Sequence, residues 1–287
     1  MQLSTSIVNK ALHAFSKLAL ITLAGCCLMS CKPTQHPHEL RVGTIAGPET
    51  ALMEVAKKVA HDRYGVNVVI IPFTDYAMPN LALNDGSIDA NMFQHEPYLT
   101  AQAEARHLDI VSVGRLFMYP MGVYSNKIKH LSDLPDHASV AVPNDPSNEA
   151  RALLLLANAH LISLKPGVGV NATIHDISSN LKGLVFKELD AAQLPRSLGD
   201  VTIAVINTNY AANIGLSPSR DALLVESKDA PYANVLAAKR ERRADPDVLH
   251  LLAALRSAPV IAAAEKYFKG EAIVAWSNQP ETGHAAH

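Results

Sequence analysis

No cysteine follows residue 31. Cys26, Cys27 and Cys31 are the only three in 287 residues, so a disulfide framework is excluded from everything that folds after them. A charge of one sign is missing as well. Lys and Arg number 25 against 27 Asp and Glu, without the concentrated basic face that nucleic acid requires. Long hydrophobic runs are also scarce: the uncharged stretch 18–31 has the length of a signal-peptide core and is too short to cross a bilayer as a permanent helix. His36 and His38 flank Pro37 without a third and fourth ligand at suitable spacing, so no metal and no cofactor is expected. No nucleophile has a positioned base. His95 beside Glu96 invites an acid–base reading, but adjacent residues on an extended segment point opposite ways, and the chain is expected not to be an enzyme.

What is present is a chain long enough for two lobes, with 48% hydrophobic residues to fill their cores. Lys10 and Lys17 precede the apolar run, and inside it Leu23-Ala24-Gly25-Cys26 resembles the bacterial lipobox, in which a signal is cut before a cysteine that becomes lipidated. Cys26 is the expected lipidation site and Cys31, after Leu28-Met29-Ser30, the alternative. Residues 1–31 thus read as a lipoprotein signal, and 32–38, with two prolines, as a tether. The expected location is the cell envelope, lipid-anchored to a bacterial membrane on its periplasmic side or at the cell surface.

From Leu40 the pattern alternates between short β-rich runs and stretches with helical spacing, which points to a mostly parallel α/β sheet. The run 40–45 ends in Ala46-Gly47-Pro48-Glu49, a βα turn; Leu52, Val55, Ala56 and Val59 recur at helical spacing to Gly65; residues 66–73 form a continuous apolar strand of the kind covered on both faces. The stretch 142–151 has the same grammar. Asn144 or Asp145 caps a helix, Pro146 fits its first turn, and Arg151 leans back toward the helix start, where unpaired amides attract an anion. A carboxylate suits that receptor, because arginine grips a planar two-oxygen group with two parallel hydrogen bonds. The opposing reading is a capped helix with Arg151 on a solvated face; the test between them is Arg151→Ala, expected to end binding and leave the melting temperature nearly unchanged.

In open α/β sheets, ligands bind beyond the carboxyl ends of strands. Tyr76, Phe93, His95 and Tyr98 fall at such ends, and Asn207 follows the strand 200–206 as Asn144 follows its own. Two extended crossings, at 119–124 and 231–236, imply two lobes and a hinge. Lobe one takes 39–119 plus 235–277 and lobe two 120–234, with a polar tail at 278–287; a cleft between lobes is a preferred small-molecule site.

With these segments in view, the chain resembles the methionine-binding lipoprotein family, the substrate-binding component of the bacterial methionine ABC importer. The resemblance covers nearly all of 40–276 and rests on five ordered motifs: Phe73-Thr74-Asp75-Tyr76 with Pro79-Asn80, Phe93-Gln94-His95-Glu96-Pro97-Tyr98-Leu99, Pro143-Asn144-Asp145-Pro146-Ser147-Asn148 with Arg151, Ala192-Gln193-Leu194-Pro195-Arg196-Ser197, and Pro231-Tyr232-Ala233-Asn234. It implies an α/β, two-lobed type II periplasmic-binding-protein fold with a hinge and central cleft, closing on a free amino acid. It further implies that Tyr76, Phe93, His95 and Tyr98 wrap the ligand side chain, that Asn148 and Arg151 hold the carboxylate, and that Asn207 and Asn234 share the amino and carboxylate groups. An aromatic box suits a thioether, worth roughly 0.3–1.5 kcal/mol per sulfur–ring contact. The sequence departs at Thr208, where many relatives have Gly. The implied function is capture of methionine, L or D, and delivery to an ABC permease and its ATPase. The alternative is a binding protein for another amino acid or a short methionine-containing peptide.

Overall fold

The computed structural model describes residues 39–276. The lipobox cysteines Cys26 and Cys31, the tether 32–38 and the tail 278–287 lie outside the described residues. From the first strand the chain runs β1 (Glu39–Ile45), α1 (Pro48–Tyr64), β2 (Asn67–Phe73), α2 (Pro79–Asp85), β3 (Ala90–His95), α3 (Glu96–Arg106) and β4 (Ile110–Met118). It then crosses to β5 (Gly122–Tyr124), β6 (Ser139–Pro143), α4 (Pro146–Asn158), a ribbon of β7 (Ser163–Leu164) and β8 (Ile177–Ser179), and β9 (Val185–Leu189). After these come α5 (Leu194–Ser197), β10 (Ile203–Ile206), α6 (Thr208–Asn213), α7 (Pro218–Asp221) and β11 (Leu224–Val225). The chain returns as β12 (Ala233–Lys239), α8 (Pro246–Leu255), α9 (Ala258–Tyr267) and β13 (Ile273–Val274).

Two sheets result, ordered β13-β4-β12-β3-β1-β2 and β11-β5-β10-β6-β9. Within each, consecutive strand–helix units pair in parallel: β1 with β2 and β3, and β6 with β9 and β10. The mostly parallel expectation needs one amendment. β5 and β12, the strands that arrive from the other sheet, pair antiparallel to their neighbours. A chain crossing the cleft enters a sheet at its carboxyl edge and must run against the strands that end there. Hydrophobic periodicity encodes the face of a strand but not its direction, so the sequence pattern could not show this.

Local chemistry places the helix starts. Pro48 opens α1 and Gly65 ends it at φ 71, a left-handed position natural to glycine. Asp145, rather than Asn144, caps α4 by accepting from the Asn148 amide at 2.9 Å, with Pro146 next. Leu52, Met53 and Ala56 of α1 pack with Leu251, Leu255 and Val260 against β1 and β3, while Leu153 and Leu156 of α4 pack with Val140, Val142, Ile203 and Val205. Among the described residues, no single helix is long and apolar enough to cross a bilayer. The apolar faces of α8 and α9 are buried in the first of these cores.

Candidate functional site

The carboxyl ends of β1, β2 and β3 face those of β6 and β10 across a cavity. Tyr76, Phe93, His95, Tyr98, Asn148, Arg151, Asn207 and Asn234 all line it. Glu49, Gln94, Tyr119, Thr208 and Asn209 line it too; Glu49, Gln94, Tyr119 and Asn209 were not singled out from the sequence. For Glu49 the signal was available: it opens the helix after β1 just as Asn148 lies in the first turn after β6.

The aromatic wall is a contiguous cluster. Tyr76 sits 5.7 Å from Phe93, 5.8 Å from Tyr98 and 5.0 Å from Tyr210 between ring centroids. These offset and edge geometries favour rigid packing. Hydrogen bonds fix the wall: the Tyr98 hydroxyl donates to the Tyr76 carbonyl at 3.0 Å, and the Tyr76 hydroxyl donates across the cleft to Asn209 Oδ1 at 2.8 Å. Behind it, Asn80, Asn91 and Gln94 exchange amide hydrogen bonds of 2.7–2.9 Å while almost wholly buried. Their mutual satisfaction holds the 74–80 loop against β3.

His95 serves as a strut. Its Nδ1 accepts from the Tyr98 amide at 3.1 Å as the cap of α3, so the ring proton resides on Nε2. Nε2 donates to Asn148 Oδ1 at 3.1 Å, joining the two sheets. Burial and the charge of Arg151 push its pKa down to about 3, so the ring is neutral under ordinary conditions. Glu96 does not reach the cavity.

Asn148 is braced on both sides of its amide. Its Nδ2 donates to both oxygens of Asp145 at 3.0 Å, and its Oδ1 accepts from His95 and from Asn207 Nδ2 at 2.8 Å. The two Asp145 oxygens share one Nδ2 hydrogen, because the N–H bonds of an amide diverge too widely to meet one carboxylate together. Through Oδ1, Asn148 orients Asn207, whose own Oδ1 is left buried without a partner.

Arg151 is not on a solvated face: its side chain is 4% exposed. Neither is its two-pronged edge open. Nε and Nη2 donate to the carboxylate of Glu226 at 2.8 and 2.5 Å, and Nη2 also donates to the Tyr119 carbonyl at 2.9 Å. Tyr232 covers the guanidinium, 4.4 Å from ring centroid to Cζ. Three of the five donor hydrogens are thereby engaged, and only Nη1, with two hydrogens, has no partner among the described residues. The parallel two-nitrogen grip expected for a ligand is made with Glu226. The Thr208 hydroxyl is also engaged, donating to the Pro120 carbonyl.

Glu49 completes the set. It is buried, its Oε1 accepts from Asn234 Nδ2 at 3.3 Å, and its Oε2 has no partner. Desolvation holds its carboxyl well above the usual carboxylate range. Asn209 Nδ2 is likewise buried without a partner, while its Oδ1 accepts from Tyr76. The cavity thus presents a vacant acceptor on Asn207 Oδ1, a second on Glu49 Oε2 once that carboxyl is ionised, an unpaired donor on Asn209 Nδ2, and beside them Arg151 Nη1. Each buried polar group left unpaired costs about 1–3 kcal/mol. The chemical complement is one small molecule with an ammonium and a carboxylate. The empty cavity has room for one or two water molecules.

Gly47 marks where they meet. Its φ of 122 belongs to a region that side chains rarely adopt, and a Cβ there would lie 2.0 Å from Asn213 Oδ1 on α6. Asn213 Nδ2 in turn donates to the Ala46 carbonyl at 3.0 Å. Gly47→Ala is expected to cost about 1–3 kcal/mol, read as a lower melting temperature. An unchanged melting temperature would mean that this turn relaxes freely.

Comparison with known proteins matches the model of a family described as NlpA lipoprotein over residues 40–276. The chain is 47% identical over 242 residues to the D-methionine-binding lipoprotein MetQ of Escherichia coli K12, covering 84% of this chain and 89% of the relative. It is 46% identical to the protein of the same name from Salmonella typhimurium over 258 residues, 89% of this chain and 94% of the relative. Among solved structures, a periplasmic substrate-binding protein of an ABC transporter from Coxiella burnetii superposes with a TM-score of 0.80 at 61% identity, over 82% of this chain and all of that one. A nutrient-binding protein from Burkholderia cenocepacia bound to methionine gives 0.81 at 49% identity, over 83% of this chain and all of that one. The fold is the two-lobed α/β architecture of periplasmic substrate-binding proteins.

Proposed function

The chain belongs to the NlpA lipoprotein family, and from that premise we propose that it is a lipid-anchored binding protein that captures methionine and delivers it to an ABC importer. The observation that carries the reading is three buried polar atoms without a partner, Glu49 Oε2, Asn207 Oδ1 and Asn209 Nδ2, beside an Arg151 whose Nη1 makes no hydrogen bond among the described residues; an α-amino acid satisfies this set at both of its charged ends. In this assignment the ammonium sits between Glu49 Oε2 and Asn207 Oδ1, and the carboxylate on Arg151 Nη1 and Asn209 Nδ2. The thioether packs on Tyr76, Phe93 and Tyr98, where sulfur–ring contacts add roughly 0.3–1.5 kcal/mol each. His95, Asn148 and Asn234 hold the partners that touch the ligand. The site binds rather than turns over: its one histidine is neutral and engaged at both ring nitrogens.

Residues 39–119 with 235–276 form one lobe and 120–234 the other, hinged at the crossings before β5 and β12. Glu49 and the aromatic wall belong to the first lobe and Asn207, Arg151 and Asn209 to the second, so a ligand that touches both favours closure by its differential affinity. Anchoring through Cys26 or Cys31 keeps the closed protein beside its permease. Calorimetry of the chain from residue 39 with the common amino acids tests the function. Heat and a thermal shift are expected with at least one methionine enantiomer, and a flat titration with both would overturn the proposal.

A further inference from the structure

Glu226 touches no vacant atom of the cavity, yet it is the acceptor for three buried donors. These are Arg151 Nε and Nη2 at 2.8 and 2.5 Å and the Met121 amide at 3.0 Å. Its carboxylate and the guanidinium are 7% and 4% exposed. The pair also gathers both crossings between the lobes. Tyr119, whose carbonyl accepts from Nη2, and Met121 lie on the first crossing; Glu226 and Tyr232, whose ring covers the guanidinium, lie on the second.

Two consequences follow from this geometry. Glu226 and the Tyr119 carbonyl engage every hydrogen of Nε and Nη2, so Arg151 can offer a ligand only Nη1. The pair is also neutral as a unit, so Glu226 offsets much of the positive charge that Arg151 brings to the cavity. A lone arginine in so dry a place would draw in any acid and repel an ammonium, since charge–charge energies grow as the effective dielectric falls.

Resting on the methionine reading above, we propose that Glu226 is a positioning residue that makes the site select the zwitterion of an amino acid over an anion of the same shape. It acts through Arg151, by offsetting its charge and by leaving one nitrogen for the ligand.

The test is a selectivity ratio. The probes are methionine and 4-(methylthio)butanoate, which keeps the carboxylate and thioether and lacks the ammonium. The ratio of their dissociation constants is measured by competition calorimetry on the wild-type chain and its variants. Glu226→Gln leaves Arg151 uncompensated, and the preference for methionine is expected to fall by about tenfold or more. Glu226→Asp keeps the charge and is expected to restore most of the ratio even where both affinities drop. A purely structural role would weaken both probes alike, and an unchanged ratio in Glu226→Gln would overturn the proposal. A wild-type chain that binds neither probe would instead overturn the methionine reading beneath it, so the two failures are distinct.

Glu226→Ala gives a second arm should Glu226→Gln not fold. A groove of about 420 Å³ lined by Leu154, Leu155, Asn158 and Pro231 reaches Arg151 and Glu226 from outside, a path for formate into the vacated place. Added formate is expected to raise the methionine preference of Glu226→Ala toward the wild-type value. A ratio indifferent to formate would overturn the proposal.

Discussion

Arg151→Ala removes methionine binding and destabilises the empty protein by about 3–5 kcal/mol, because Glu226 is left as an uncompensated charge in a dry site. For a chain of this size the melting temperature falls by roughly 6–20 °C. The sequence alone led to the opposite expectation for stability, a nearly unchanged melting temperature, because it supplied no partner for the guanidinium. Replacing both members of the pair, Arg151→Met with Glu226→Met, removes two buried charges together. Such replacements are often neutral or stabilising, so the double variant is expected to recover most of the lost melting temperature and still not bind. Thermal melts of the three proteins with and without methionine check this; a single variant that melts like the wild type would mean that the pair is solvated.

Glu49→Gln separates binding from stability in the other direction. In the empty cavity burial keeps the Glu49 carboxyl protonated into a range where exposed carboxyls are ionised, so a glutamine of the same shape changes the empty protein little. With an ammonium beside it, the ionised form is favoured and the variant loses a buried charge pair. Truncating such pairs typically costs about 2–5 kcal/mol, a loss of roughly 30- to 5,000-fold in affinity.

The pH dependence follows from the same group. A carboxyl whose folded pKa is raised is neutral in the folded chain and ionised in the unfolded one. The empty protein therefore loses stability as pH rises from the ordinary carboxylate range toward the raised value. Methionine reverses this by lowering the pKa, so binding releases a proton in that window and affinity rises with pH. His95, neutral with or without ligand, releases no proton on binding, but its pKa lowered to about 3 makes it add stability as pH rises from there to the ordinary histidine value, opposing Glu49 over that range. Titrations in buffers of different protonation enthalpy count the proton, and undiminished release in Glu49→Gln would assign it to another group.

How far the site could be read in advance differs residue by residue. Tyr76, Phe93, Tyr98 and Asn207 lie at strand ends within distinctive local strings, and local strings survive in a sequence. The capped start of α4 was legible for the same reason. The pairing of Arg151 with Glu226 spans 75 positions, and nothing near either residue announces it. That one contact converts Arg151 from a two-pronged clamp into a single-nitrogen donor. Asn148 is likewise held by groups both near and far in the sequence, Asp145 three residues before it and His95 and Asn207 more than fifty positions away. Glu49 was legible by position and passed over as a turn residue; its importance shows only when burial reveals a carboxylate oxygen with nothing to bind.

The most direct measurement is a crystal structure of residues 39–276 with methionine bound, at a resolution that distinguishes the two ends of the ligand. The ammonium is expected within hydrogen-bond distance of Glu49 Oε2 and Asn207 Oδ1, the carboxylate on Arg151 Nη1 and Asn209 Nδ2, and the sulfur against Tyr76, Phe93 and Tyr98. A ligand lying with its carboxylate toward Glu49, or one that displaces Glu226 from Arg151 to take the two-nitrogen edge, would contradict this account.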